Sequence, residues 1–96
     1  MTLKKFVELI EDDDIYLDFS EVSSKNKLSN RPDLCAFLIL DKLIPRDCDI
    51  ISAAEHDEFY ISVDVEELIK VIDEETVADL RMCGVIYSEE SLMMFA

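Results

Sequence analysis

Phe59-Tyr60-Ile61-Ser62-Val63-Asp64-Val65-Glu66-Glu67-Leu68 is the stretch on which the fold turns. Its first half alternates. Phe59, Ile61 and Val63 fall on one side and Tyr60 and Ser62 on the other, the two-residue period of a half-buried strand. At Asp64 the period changes. Asp64 with Glu67 three residues on is a capping-box pattern, and it leads into the apolar Leu68, Ile69, Val71 and Ile72. A chain that passes from strand to helix within ten residues is building a mixed α and β domain.

Upstream, residues 49–54 predict a second strand, joined to 59–63 through Glu55-His56-Asp57-Glu58, so a hairpin is expected. Downstream, Asp73-Glu74-Glu75-Thr76 opens a helix carrying Val77, Leu80 and Cys83, with Gly84 suited to its C′ position. Residues 85–87 and 92–95 then make a closing pair of short strands around Ser88-Glu89-Glu90-Ser91.

The N-terminal half is more varied. Residues 2–13 predict a helix, because Leu3, Phe6, Val7 and Ile10 form one stripe and Thr2 can cap it. Ile15, Leu17 and Phe19 alternate with polar neighbours and predict a strand over 15–20. Residues 21–31 are polar and read as a loop. From Asn30, with Pro32 in the first turn, a helix is expected to run to Ile44, where Pro45 ends it. A buried strand is the rival for 30–44; helix is preferred because Pro32 and Pro45 bracket three turns. The expected architecture is α+β: a single compact domain over 1–96, a mostly antiparallel sheet with three to four helices packed on one face.

Composition narrows the function. The 96 residues include 23 acids and 9 bases, for a net charge of −14, and half of them are hydrophobic. That apolar content is too high for a disordered acidic tail. A single glycine excludes the glycine-rich phosphate loops, which need at least two. A pI near 4.1 excludes direct binding to nucleic acid or to an anionic membrane as the main activity. Cys35, Cys48 and Cys83 are odd in number and widely spaced, with no CxxC pair, so neither a disulfide framework nor a structural zinc site is expected. The residues 1–10 do not read as a signal peptide and the longest apolar run, 34–40, is far short of a membrane span. A soluble cytoplasmic domain is therefore expected.

No catalytic constellation emerges. His56 sits among Glu55, Asp57 and Glu58, which looks like a ligand set on paper, but adjacent turn residues point in different directions and there is no second histidine. The chain is expected to be no enzyme and to need no cofactor. What stands out is the placement of the charge. Residues 1–46 hold nine acids and seven bases, a net of −2, whereas residues 47–96 hold fourteen acids and two bases, a net of −12. Asp64, Glu66, Glu67, Asp73, Glu74 and Glu75 occupy predicted caps and first turns, where carboxylates favour the helix dipole. Glu11, Asp12, Asp13 and Asp14 do not, because they fall at the end of a helix that begins with Lys4 and Lys5, the reverse of what the dipole prefers. Asp47, Asp49, Asp57, Glu58, Glu89 and Glu90 likewise lie on strands or turns with no capping role. These ten acids are the candidate partner-binding residues. They form either a solvated face or a mimic of a nucleic-acid backbone, whose charges recur every ~3.4 Å along a strand.

Four segments carry a resemblance: Ile51-Ser52-Ala53-Ala54-Glu55-His56-Asp57-Glu58, Val63-Asp64-Val65-Glu66-Glu67-Leu68, Met82-Cys83-Gly84-Val85 and Leu92-Met93-Met94-Phe95. Across roughly the second half, the chain resembles small acidic proteins encoded by phages and prophages. Phage genomes encode small acidic inhibitors of host defence, anti-CRISPR proteins among them, and several act as DNA mimics. The resemblance implies an inhibitor whose partner is a host nucleic-acid-binding protein such as a CRISPR effector nuclease, blocked by acidic contacts. It carries no catalytic or binding position with it. The alternative is a non-enzymatic phage structural or protein-interaction module, possible as a homo-oligomer in which the apolar 92–95 segment packs on a second chain.

Overall fold

Strand and helix segregate where the hydrophobic period changes. A computed structural model describes residues 1–12, 18–55 and 57–95. The first helix, α1 (Leu3–Ile10), buries Phe6 and Ile10, and Thr2 caps it by accepting the Lys5 N–H at 3.1 Å. It ends at Ile10, earlier than the expected Asp13. Glu11 is its C-cap and Asp12 follows, so both acids sit at the negative end of its dipole.

The strand expected over 15–20 is corrected where it can be seen. Ile15 and Leu17 lie outside the described residues, while Phe19–Glu21 is a 3-10 turn. The Asp18 carboxylate accepts from both the N–H (3.0 Å) and the hydroxyl (2.7 Å) of Ser20, which holds its pKa below the ordinary value. This local bond offers the backbone an alternative to a sheet ladder.

Next comes α2 (Pro32–Leu43), a helix as preferred over the rival strand, with proline at its first turn and Ile44 as its C-cap. Two hairpins follow the expected plan. β1 (Ile51–Glu55) pairs antiparallel with β2 (Glu58–Ile61), and β3 (Ile86–Ser88) pairs antiparallel with β4 (Ser91–Phe95). β2 and β4 join the hairpins, so the sheet order is β1-β2-β4-β3. Between the hairpins lie α3 (Val65–Leu68) and α4 (Glu74–Cys83). α3 is a single turn because Asp64 and Asp73, nine residues apart, each cap a helix, and the chain must leave helical geometry to reach the second cap.

Phe59, Ile61, Leu92, Met94 and Tyr87 share the face that meets the helices. The Phe37 ring of α2 lies 5.6 Å from that of Phe59, and the Phe6 ring of α1 meets Tyr87 edge-on at 6.2 Å. Behind these rings Leu40, Leu68, Val77, Leu80 and Val85 are wholly buried. Tyr60, Met93 and Ile86 form a row on the other face. The architecture is α+β, an antiparallel four-stranded sheet with its helices on one side.

Candidate functional site

The register fixes where the candidate acids stand. Glu58 pairs with Phe95 and Ile61 with Leu92, so the β1–β2 turn and the β3–β4 turn lie at opposite ends of the sheet. Asp57 and Glu58 belong to one end and Glu89 and Glu90 to the other, about 13 Å away along β4. Asp47 and Asp49 are exposed just before β1, whose start pairs with the end of β2, and so belong to the Glu89–Glu90 end. Glu11 is the exposed C-cap of α1 and Asp12 follows it half-buried. Asp13, Asp14 and His56 lie outside the described residues. The ten acids therefore do not form a single face.

Three acidic residues do line one cavity. Asp64, Glu66 and Glu90 surround a shallow cavity of about 260 Å³ whose remaining walls are Leu3, Val65 and Tyr87. Four elements build it. α1 supplies Leu3, the end of β2 runs into the Asp64 cap, α3 supplies Val65 and Glu66, and the β3–β4 hairpin supplies Tyr87 and Glu90. Asp64 does what its position in the sequence implies, accepting the Glu66 N–H at 3.0 Å. Asp64 also lines the cavity.

The hairpin tip is the strained part. Glu89 and Glu90 have φ of +52° and +64°, and Ser88 pairs with Ser91 around them. Two consecutive residues at positive φ in a two-residue loop are the conformation for which Asn-Gly is preferred. Each glutamate there costs roughly 1–2 kcal/mol against a right-handed residue.

Electrostatically the surface is divided. Lys5 pairs with Glu74 at 3.3 Å, Lys25 with Asp73 at 3.0 Å and Glu75 at 3.6 Å, and Lys70 with Glu67 at 3.4 Å. Among the described residues no ion pair involves Asp47, Asp49, Asp57, Asp64, Glu66, Glu89 or Glu90. The Asp73 carboxyl is lowered to about 2, chiefly by its hydrogen bond to the Thr76 hydroxyl and then by Lys25. Lys5 and Lys25 are thus spent at the start of α4 and Lys70 on α3, while the Glu89–Glu90 end of the sheet keeps its carboxylates for solvent or a partner. Three such acids around Leu3, Val65 and Tyr87 suit a lysine or arginine: the carboxylates take the charge, and the apolar walls and ring take the aliphatic stem. Among the described residues, no three His, Cys, Asp or Glu side chains are placed to hold a metal ion, and no helix is long and apolar enough to cross a membrane.

A second carboxylate, not among the candidates the sequence offers, has the opposite character. Asp79, on α4, is 2% exposed and accepts from the Ser23 N–H (3.0 Å), the Ser23 hydroxyl and the Asn26 amide (2.7 Å). The same Asn26 amide reaches Thr76 Oγ1 at 3.1 Å, and the Cys35 thiol donates to the Asn26 carbonyl at 3.1 Å. Burial, with Cys35 and Asp79 nearby, pushes the Cys83 thiol up to about 12, so it stays protonated and unreactive. The available signal was an acid on the buried stripe of α4, three residues after Thr76 and four before Cys83. Set against known protein families, curated proteins and solved structures, the chain matches none, so its surface is read from its chemistry.

Proposed function

We propose that this chain is a non-catalytic inhibitor, of the kind phages direct against host defence, which occupies a basic nucleic-acid-binding surface of its partner with its own carboxylates. A CRISPR effector nuclease is the type of partner it suits, and the cytoplasm of the host cell is where the two would meet. The observation that carries the reading is the unpaired acidic end of the sheet, with Asp64, Glu66 and Glu90 around one cavity and Glu89 beside them. Carboxylates one helical turn or one strand step apart approach the spacing of phosphates, so lysines and arginines arranged for a nucleic acid find acceptors at similar intervals. Charge of this density also steers a basic partner, giving fast and salt-sensitive association.

The test is titration against a purified nuclease effector across a salt series, with and without its DNA. Affinity should fall steeply with salt, bound DNA should exclude the protein, and Glu89→Lys with Glu90→Lys should abolish inhibition while leaving the fold intact. Binding that ignores salt and coexists with DNA overturns the reading. One observation favours a second, oligomeric module: Phe95, which ends the central strand β4, is 65% exposed. Multi-angle light scattering decides it, since a monomer whose state does not respond to Phe95→Ser rules it out.

A further inference from the structure

The helix-side face of the sheet is covered unevenly. β2 lies under α2, where Phe37 meets Phe59, but β1 is the edge strand and its inward-facing residues are bare. Ile51 pairs with the buried Ile61 and Ala54 with Phe59, so both belong to the helix-side face, yet Ile51 is 42% exposed and Ala54 is exposed too. Beside Phe37, the outer face of α2 presents Leu34 and Leu38, 43% and 37% exposed. Exposed apolar residues of the helix and of the edge strand thus flank the Phe37–Phe59 contact on either side.

Among the described residues the main chain at that edge is open as well. The Ser62 N–H donates to the Ile50 carbonyl, and a bulge separates Ile51 from Ala53. The alternation of an antiparallel ladder then turns Ala53 toward Tyr60 and leaves the backbone groups of Ile51 and Ala54 directed away from β2. An unpaired edge beside exposed apolar side chains is a template for one more strand.

We propose that the edge of β1, with the adjoining face of α2, receives an extended segment of a protein partner that has apolar side chains at alternate positions and lysine or arginine at its ends. Charge chooses this occupant. Asp47 and Asp49 precede the strand and Asp57 and Glu58 follow it, so cations at both ends of an added strand meet acids. A second copy of the chain, paired antiparallel about Ala53, would instead set Asp49 against Asp57, within a pair of molecules each carrying −14. This surface is separate from the acid-lined cavity.

The probe is a fluorescein-labelled peptide, Lys-Lys-Val-Thr-Val-Thr-Val-Lys-Lys, followed by anisotropy against the full chain. Saturable binding is expected, and about tenfold weakening from each of three changes: Ala54→Pro, N-methylation of the peptide's central valine, and Leu34→Glu with Leu38→Glu. Ala54→Pro deletes an N–H that serves only the open edge, and the N-methylated peptide tests the same bond on unaltered protein. Glu90→Lys should leave binding unchanged, which separates this surface from the acidic cavity. Absence of saturable binding overturns the proposal. So does binding indifferent to Ala54→Pro and N-methylation, which marks lysines resting on an acidic surface. A dimer that Ala54→Pro turns into a monomer also overturns it, in favour of a second copy.

Discussion

At α4 and at the β3–β4 turn the chain treats carboxylates and left-handed backbone in opposite ways. Asp73 caps α4, Asp79 is buried with three donors, and the one residue at positive φ, with φ +100°, is Gly84. At the hairpin, by contrast, two glutamates adopt positive φ and neither makes an ion pair among the described residues. The first region satisfies its cap, its buried carboxylate and its left-handed position, and returns stability. The second breaks a rule and returns none. Departures of this second kind are expected at functional or strained sites, and here they coincide with a sheet end whose acids make no ion pair among the described residues.

The largest effect expected from breaking this contrast lies at Asp79. Asp79→Ala strands the Ser23 N–H, the Ser23 hydroxyl and the Asn26 amide without their acceptor and leaves a void, at a cost of about 3 kcal/mol. Urea unfolding checks the value, and the 21–28 loop should lose amide protection first. If Asp79 supports structure alone, a partner titrated below the unfolding midpoint binds this variant as it binds the parent.

The converse change sits at the hairpin. Glu89→Asn with Glu90→Gly supplies the residues a type I′ turn prefers and should raise stability by about 1 kcal/mol. The same exchange should weaken a basic partner about tenfold, or ~1.4 kcal/mol, through loss of two acceptors. Thermal unfolding and partner titration on one sample read both signs. A gain in stability with unchanged affinity would remove the hairpin from the binding surface. Gly84→Ala gives the reference for left-handed backbone in this protein. A Cβ there would lie 3.8 Å from Met94 Cε, an ordinary contact, so the expected loss of about 1 kcal/mol is backbone alone.

Why one region could be read and the other only in part follows from range. The helix over Glu74–Cys83 was written locally, in Asp73 before it and Gly84 after it, and both hairpins in alternation on either side of polar turns. The turn at Ser88-Glu89-Glu90-Ser91 was evident, but its left-handed tip was not, because glutamate does not announce positive φ. Asp79 finds its partners 53 and 56 residues away, in a loop whose polarity suggested only solvent. The acidic cavity needs Leu3 and Glu90, from opposite ends of the chain, beside Asp64 and Glu66, whose capping role alone accounts for their place in the sequence. At 18–20, a side chain bonding its own backbone overrode an alternating pattern. Local signals gave elements; the pairing of remote segments gave the site.

The smallest effect, and the one that tests the contrast through pH, belongs to Asp73. Its carboxyl is held at about 2 against 3.8 by Thr76 and Lys25. The folded value is the lower, so the ionised form stabilises the fold fully above pH ~4, and that contribution is lost as pH falls toward 2. Because the side chain is 59% exposed, screening keeps the effect below about 1 kcal/mol. Asp73→Asn keeps a capping acceptor while removing the charge. Its urea midpoint should therefore change less than the parent's between pH 4 and 2, and the difference should shrink in high salt as the Lys25 pair is screened. Matching slopes in the two proteins would mean that the Asp73 carboxylate is not held by Thr76 and Lys25, and the division between structural and available carboxylates would no longer hold.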